Sequence, residues 1–209
     1  MMDTRSPNLL ILAGPNGSGK TTFASQLLAH EWGRDCVSIN ADELANQLGG
    51  WNNPECILRA QIMVREQLAQ ALQQKQDILY ETVFSHPSKL ELIRQALTLG
   101  YFVRLFFICT ESPRVNIERV ADRFASGGHT VPGNKVTNRY NRALMYGAEA
   151  MKLVQRGYLY DNTASAADTP NSFKPIFRTI DGQHVKLYSP IETWPKAYAY
   201  FLNDFMKES

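Results

Sequence analysis

The stretch GPNGSGKTT, residues 14–22, constrains the fold of this chain more than any other feature. It completes the pattern G-x-x-x-x-G-K-[ST] and directly follows an apolar run, NLLILA, at 8–13. A strand that enters such a loop, with a helix after it, is the context in which this pattern binds phosphate groups. The sequence therefore predicts a P-loop nucleotide-binding site and not an ordinary glycine-rich turn.

Each part of this loop has an expected role. The glycines allow backbone N–H groups to surround the β-phosphate, Lys20 supplies a positive charge to the β- and γ-phosphate oxygens, and Thr21 offers its hydroxyl to Mg²⁺. The expected cofactors are therefore ATP or GTP together with Mg²⁺. The predicted nucleotide-binding residues are Gly14, Pro15, Asn16, Gly17, Ser18, Gly19, Lys20, Thr21 and Thr22.

Beyond the loop, short apolar runs alternate with stretches of helical periodicity. The predicted strands are 8–13, 35–40, 77–82, 101–108 and 157–162, and the predicted helices are 21–29, 41–48, 54–74, 85–100, 112–125 and 134–156. This alternation predicts an α/β fold, a P-loop NTPase-like parallel sheet flanked by helices on both faces. The length of 209 residues fits a single domain, 1–209.

The last forty residues break the alternation. Two short β-like runs within 172–189 meet at Asp181-Gly182, a strong hairpin signal, and a closing helix is predicted at 193–209. The hairpin can either extend the sheet edge or form a small flap.

Composition argues against several classes of partner. A formal net charge of +2 gives no general attraction to nucleic acid or anionic membranes. The sequence has neither a membrane-spanning apolar run of about 18 residues nor a signal-peptide hydrophobic region, so we expect a cytoplasmic protein. Cys36 and Cys109 lie in apolar runs without metal-ligand spacing and are expected to be buried free thiols.

Two carboxylates are expected beside the phosphate loop. Asp42 follows the second predicted strand and Glu81 closes the third, and ligands of open α/β sheets lie beyond the carboxyl ends of the strands. One carboxylate can accept a hydroxyl proton while the other holds the substrate or a metal-bound water. Two other interpretations remain: Asp42 as a helix cap, and Glu81 as the partner of an arginine.

The usual marks of a hydrolase are missing from the sequence. No predicted apolar strand ends in a magnesium-binding Asp, the SGGH at 126–129 is not an LSGGQ-like signature, and no NKxD-like base-reading motif is present. The sequence therefore favours transfer to a second substrate over transfer to water.

Four arginines flank the glycine-rich stretch SGGHTVPG. Arg119 and Arg123 are four residues apart on one predicted helix, opposite an expected buried face that includes Val120 and Phe124. Arg139 and Arg142 follow on the next helix. These features predict a helical lid, about 112–156, that closes over the transferring phosphate and excludes water. The alternative is that the arginines lie on solvated helix faces.

The segments GPNGSGKTTF, SINADE, YETVFS, GYFVRLFFI, ERVADRFASGGHTVP and YDNT occur in the order seen in zeta-toxin-like P-loop kinases. The chain resembles that family over roughly residues 7–163. The resemblance implies an ATP- or GTP-dependent small-molecule kinase. The best-known members phosphorylate a sugar hydroxyl of UDP-N-acetylglucosamine and are neutralised by a separate antitoxin protein.

The resemblance also implies roles for individual residues. It makes Lys20, Asp42, Arg123 and Arg139 the catalytic residues, with Asp42 as the general base. Asp42, Glu81, Thr82 and Arg119 become the substrate-binding residues. Among the arginines, Arg123 matches best, Arg139 second and Arg119 third, while the YDN at 160–162 receives no role.

Two other functions compatible with the sequence remain open. One is a different small-molecule P-loop kinase, acting on a nucleoside or an antibiotic. The other is a nucleotide-gated binding protein, which would bind ATP tightly without acceptor-dependent turnover.

Overall fold

The structure is a computed structural model that describes residues 5–50, 53–125, 132–164 and 173–202. Within these residues the strands form one seven-stranded sheet in the order β2-β3-β1-β4-β5-β6-β7. The strands are β1 (Asn8–Ala13), β2 (Val37–Asn40), β3 (Ile78–Thr82), β4 (Phe102–Cys109), β5 (Arg156–Asp161), β6 (Lys174–Ile180) and β7 (His184–Leu187).

Helices cover both faces of this sheet. They are α1 (Lys20–Ala29), α2 (Ala41–Gln47), α3 (Pro54–Gln73), α4 (Ser88–Thr98), α5 (Pro113–Ala125), α6 (Gly133–Leu153) and α7 (Ala199–Leu202), with 3-10 turns at Ile191–Thr193 and Lys196–Tyr198. The predicted α/β fold with a mostly parallel sheet is confirmed.

The hairpin extends the sheet edge. The first five strands pair in parallel, whereas β6 pairs antiparallel with β5 and β7 pairs antiparallel with β6. Asp181 and Gly182, at the turn, have φ values of 50° and 68°. Asp and Gly tolerate this left-handed backbone, which explains why the Asp-Gly pair marks the reversal.

The core lies on both faces of the central strands. In β1, Leu9 and Ile11 pack into the larger cluster with α3, α4 and α6, while Leu10 and Leu12 pack on the other face with α1. All four side chains are fully buried. A strand buried on both faces reads as an unbroken apolar run, which is why NLLILA does not alternate.

Three details of the predicted helices are wrong. Helix α4 begins at Ser88 and not at 85 as predicted, with Pro87 at its N-cap position. On α5, Val120 is buried as expected, but Phe124 is 55% exposed. The predicted closing helix is present, but it begins at Ala199 and not at 193, because Pro190 and Pro195 each precede a 3-10 turn; residues 203–209 lie outside the described part of the chain.

The predicted lid divides into parts with different surroundings. Its glycine-rich centre, 126–131, lies outside the described residues. The second half of α6 belongs to the domain body: Tyr140, Leu144 and Met151 are buried in the main core, and a Cβ on Gly147 would collide with the Phe107 ring. Movement of the remaining lid residues stays a prediction.

Candidate active site

The phosphate loop joins β1 to α1 at the centre of the sheet. Gly14, Gly17 and Gly19 all have positive φ, and a Cβ on Gly14 would collide with the Ile108 carbonyl oxygen. Helix α1 begins at Lys20, and its N-cap Gly19 provides no side-chain hydrogen bond. The N–H groups of the first turn therefore remain available to a phosphate, where the helix dipole adds to the attraction.

Lys20 lies inside this loop. Its side chain is buried, and its Nζ donates to the Pro15 carbonyl oxygen at 2.9 Å. Burial lowers the pKa of Lys20, against the opposing effect of the Glu81 and Asp42 carboxylates, and the Arg123 guanidinium lowers it further. The ammonium group is thus held among the groups predicted to bind and transfer phosphate.

Glu81 ends β3, directly beside β1. The Thr21 hydroxyl donates to its Oε1 at 3.0 Å, and Asn40 Nδ2 donates to its Oε2 at 3.0 Å. Burial raises the pKa of Glu81, and Asp42 and Glu43 add to this rise, while Lys20 and the Thr21 hydrogen bond oppose it. Among the described residues, Glu81 therefore bonds to Thr21 at the start of α1 and to Asn40 at the end of β2, and not to an arginine.

The Thr21–Glu81 pair fits a magnesium ion chemically. A hydroxyl and a carboxylate are hard oxygen ligands, and Mg²⁺ in nucleotide sites is held by few side chains together with phosphates and waters. Within the described residues no three His, Cys, Asp or Glu side chains cluster, so a cage of protein ligands is not formed there. Glu81 lies at the end of its strand, where many NTPases carry a magnesium-binding Asp, and its carboxylate can serve the same purpose.

Asp42 lies in the first turn of α2. The N-cap of this helix is Asn40, whose side-chain oxygen accepts from the Asp42 N–H at 2.8 Å, so the Asp42 carboxylate is not needed as the cap. The carboxylate is exposed and lines the same cleft as Glu81 and Lys20. Asn40 was missed in the sequence, although an Asn directly before a helix is a preferred N-cap.

The cleft has a volume of about 820 Å³, which is enough for a small molecule beside the phosphate loop. Thr82 lines it, next to the two carboxylates. Its basic side chains come from the loop, α3, α4 and α6, and these are Lys20, Arg65, Lys89, Lys135, Arg139 and Arg142. Arg65, Lys89 and Lys135 were missed because single basic residues on predicted helices do not reveal which face they occupy.

The four arginines of the predicted lid have different surroundings. Arg139 and Arg142 line the cleft, and Arg139 Nη1 lies 3.4 Å from Asn16 Oδ1 in the phosphate loop. Arg123 is exposed but close enough to Lys20 to affect its pKa. Arg119 instead donates to backbone carbonyls after β5, so the structure does not bring it to the cleft with the other predicted substrate-binding residues.

Two solved structures resemble this fold. The PezAT chromosomal toxin–antitoxin system of Streptococcus pneumoniae matches with a TM-score of 0.59 at 17% identity, covering 99% of this chain and 86% of that chain. The AvrRxo1-ORF1:-ORF2 complex with ATP matches with a TM-score of 0.68 at 16% identity, covering 97% of this chain and 64% of that chain. At these identities the likeness shows the fold.

Sequence comparison adds the family. An uncharacterised protein of Haemophilus influenzae is 27% identical over 133 residues, which are 63% of this chain and 91% of that protein. Among the described helices, none combines the length and apolar character that a membrane crossing needs. The sequence profile of the zeta toxin family matches residues 1–156, and the chain therefore belongs to the zeta toxin family.

Proposed function

We propose that the protein is a kinase that transfers the γ-phosphoryl group of ATP or GTP to a hydroxyl of an anionic small molecule, with a UDP-activated amino sugar as the first candidate. The zeta toxin family and the fold support a P-loop small-molecule kinase. The observation that carries the proposal is the shared cleft of Lys20, Asp42 and Glu81, which combines a phosphate-binding cation with two carboxylates.

In this proposal the chain's own residues do most of the work by positioning and charge. The loop N–H groups and Lys20 hold the β- and γ-phosphates. Thr21 and Glu81 are the residues that would hold Mg²⁺, which would neutralise charge on the phosphate oxygens. The Asp42 carboxylate accepts the proton of the attacking hydroxyl, because it is exposed to the cleft and Asn40, not Asp42, supplies the capping oxygen. Arg139, beside Asn16, and Arg123 stabilise the charge of the transferring group.

The basic lining supports an anionic acceptor. Six basic side chains line the cleft against two carboxylates, although the whole chain carries only +2. Arg65 and Lys89 come from α3 and α4, so basic side chains also reach the cleft from helices outside the phosphate loop. A phosphate-bearing acceptor would place its negative charge among these groups, whereas a neutral nucleoside or a cationic antibiotic would offer their positive charges no opposite charge.

A separate antitoxin protein is a further part of the proposal. The PezAT structure is of a toxin–antitoxin system, and the AvrRxo1 structure pairs two open reading frames. By likeness, a small protein that covers the mouth of this cleft would block nucleotide and acceptor together.

The test is incubation with Mg·ATP or Mg·GTP and a matched panel of acceptors, analysed by mass spectrometry for the gain of one phosphoryl group. UDP-N-acetylglucosamine and N-acetylglucosamine form the central pair, because they share the sugar hydroxyls and differ in the anionic group. A nucleoside and an aminoglycoside complete the panel, and Lys20→Ala is the inactive control. We expect transfer to the UDP-sugar and little to the free sugar. Tight ATP binding without transfer to any acceptor would indicate the binding-protein alternative.

A further inference from the structure

Two asparagine side chains contact the phosphate loop from the side opposite the cleft carboxylates. Asn116 Nδ2, on α5, donates to the Asn16 carbonyl oxygen at 2.5 Å. Asn162 Nδ2, just after β5, donates to the Ser18 carbonyl oxygen at 2.9 Å. The two bonds therefore fix two loop carbonyls that are only two residues apart.

Asn116 is itself rigidly held. It is fully buried, and its Oδ1 accepts a hydrogen bond from the Thr110 hydroxyl at the end of β4. The loop packs directly on α5, since a Cβ on Gly17 would lie 2.7 Å from the Asn116 carbonyl oxygen. This close contact explains why only glycine fits at position 17.

Asn162 is held from three directions. Its N–H donates to the Cys109 carbonyl at 2.8 Å. Arg119 donates to its carbonyl oxygen at 2.7 Å and to the carbonyls of Thr163 and Ala164 at 3.3 and 2.9 Å. A Cβ on Gly19 would collide with the Asn162 amide.

Tyr198, in the C-terminal tail, stabilises the same segment after β5. The Tyr198 hydroxyl donates at 2.6 Å to Asp161, whose carboxylate also accepts from the Thr163 N–H at 2.9 Å. Both Asn162 and Tyr198 lie beyond residue 156, where the family match ends.

The direction of a carbonyl decides the direction of the next N–H. In a trans peptide the C=O and the following N–H point in opposite directions, because the unit is planar. When Asn116 and Asn162 hold the carbonyls of residues 16 and 18 on one side, the N–H groups of Gly17 and Gly19 must point to the other side. That side is where the loop is expected to enclose a phosphate.

We propose that Asn116 and Asn162 are positioning residues that orient the N–H groups of Gly17 and Gly19 toward the β-phosphate, and that Arg119 acts through Asn162 by holding its segment in place. This inference rests on the proposed nucleotide binding, but it does not depend on the acceptor or on turnover. In this inference Arg119 supports the phosphate loop indirectly, through Asn162, and does not make the substrate contact expected from the sequence.

The test measures how much the β-phosphate contributes to binding, as the ratio of the dissociation constants of AMP and ADP in titration calorimetry. Asn162→Leu keeps the shape of the side chain and removes the donor without adding charge, and Asn162→Ala removes it without adding bulk. Asn116→Leu makes the same change at the second bond. Asn8→Leu is the control, since Asn8 is hydrogen-bonded to Asp77 and Arg104 at the other end of β1.

We expect the AMP/ADP ratio to fall by about five- to tenfold in the Asn162 and Asn116 variants, the effect of one hydrogen bond of ordinary net strength. The Asn8→Leu protein should unfold at a lower temperature but keep the wild-type ratio. An unchanged ratio in both Asn162 variants would overturn the inference, even if Asn116→Leu fails to fold. A wild-type protein that prefers neither ADP over AMP nor GDP over GMP would instead contradict the proposed function itself.

Discussion

The hydroxyl of Thr21 donates a hydrogen bond to Glu81 Oε1 at 3.0 Å and so connects the first turn of α1 to the carboxyl end of β3. This bond exists because β3 lies next to β1 in the sheet, with Leu12 paired to Glu81. The residue predicted to bind magnesium and the buried carboxylate therefore form one unit.

Glu81→Gln should lower turnover and weaken the dependence on magnesium, because the amide keeps the shape but removes a charged oxygen ligand. We expect the magnesium concentration for half-maximal rate to rise at least tenfold. Steady-state rates over a magnesium titration provide the measurement. The same half-maximal concentration in both proteins would assign Glu81 to another task.

The same substitution should stabilise the fold at neutral pH. The pKa of Glu81 is raised in the folded state, so its contribution to the free energy of unfolding is fully present below its unfolded value of about 4.3 and is lost as the pH rises through the folded value. At neutral pH the buried charge is a cost that Gln lacks. Urea unfolding at several pH values should show the advantage of Glu81→Gln shrinking as the pH falls.

Asp42→Asn should leave nucleotide affinity nearly intact and lower turnover by roughly 10²–10⁴, the range of general acid–base groups. Thermal stability should not change, because Asn40 supplies the cap. Asn40→Ala is the matched comparison and should cost about 1 kcal/mol of stability. An equal loss of stability in the two variants would argue against a proton-accepting role for Asp42.

Lys20→Ala should abolish transfer while the protein remains folded. The Lys20 ammonium group donates to the Pro15 carbonyl oxygen of its own loop and not to a residue of the hydrophobic core. Burial lowers the pKa of Lys20, which means that burying its charge costs free energy in the folded protein. Its removal should therefore not unfold the core. Circular dichroism and acceptor-dependent rates check the two halves of this prediction. Wild-type rates in the variant would mean that the loop is not the donor site.

Arg123→Ala and Arg139→Ala should each lower turnover more than they weaken ATP affinity, since charge that acts mainly in the transition state lowers turnover and efficiency together. A lysine at either position should recover only part of the loss, because it lacks the planar guanidinium. Arg114→Ala is the control, an exposed residue of α5 paired only with Glu118 among the contacts described for it. If both test variants match the control, the arginines belong to a solvated surface.

The sequence was sufficient for features that depend on neighbours along the chain. Three such features are the buried strand β1, the phosphate loop after it and the chain reversal at Asp181-Gly182. Each depends on a short run of neighbouring residues and could be predicted from that run alone. The two carboxylates were also placed correctly, because the carboxyl ends of neighbouring parallel strands meet at one edge.

Contacts between distant segments were beyond the sequence. Nothing local distinguishes Asn116 as the partner of Asn16, or turns Arg119 toward backbone carbonyls and Arg139 toward the loop. Helical periodicity likewise identifies an apolar face on α6 but not whether the sheet or a closing cleft covers it. The structure shows that the sheet covers Leu144 and Met151.

The bond between Asn162 and the Ser18 carbonyl joins residues 144 positions apart. A ribosome synthesises the phosphate loop well before the Asn162 amide that holds it, and Tyr198 is synthesised later still. Until the segment around Asn162 has been synthesised and folded, the phosphate loop of a nascent chain would lack this hydrogen bond. Nucleotide would therefore bind at full strength only after that segment has reached the loop.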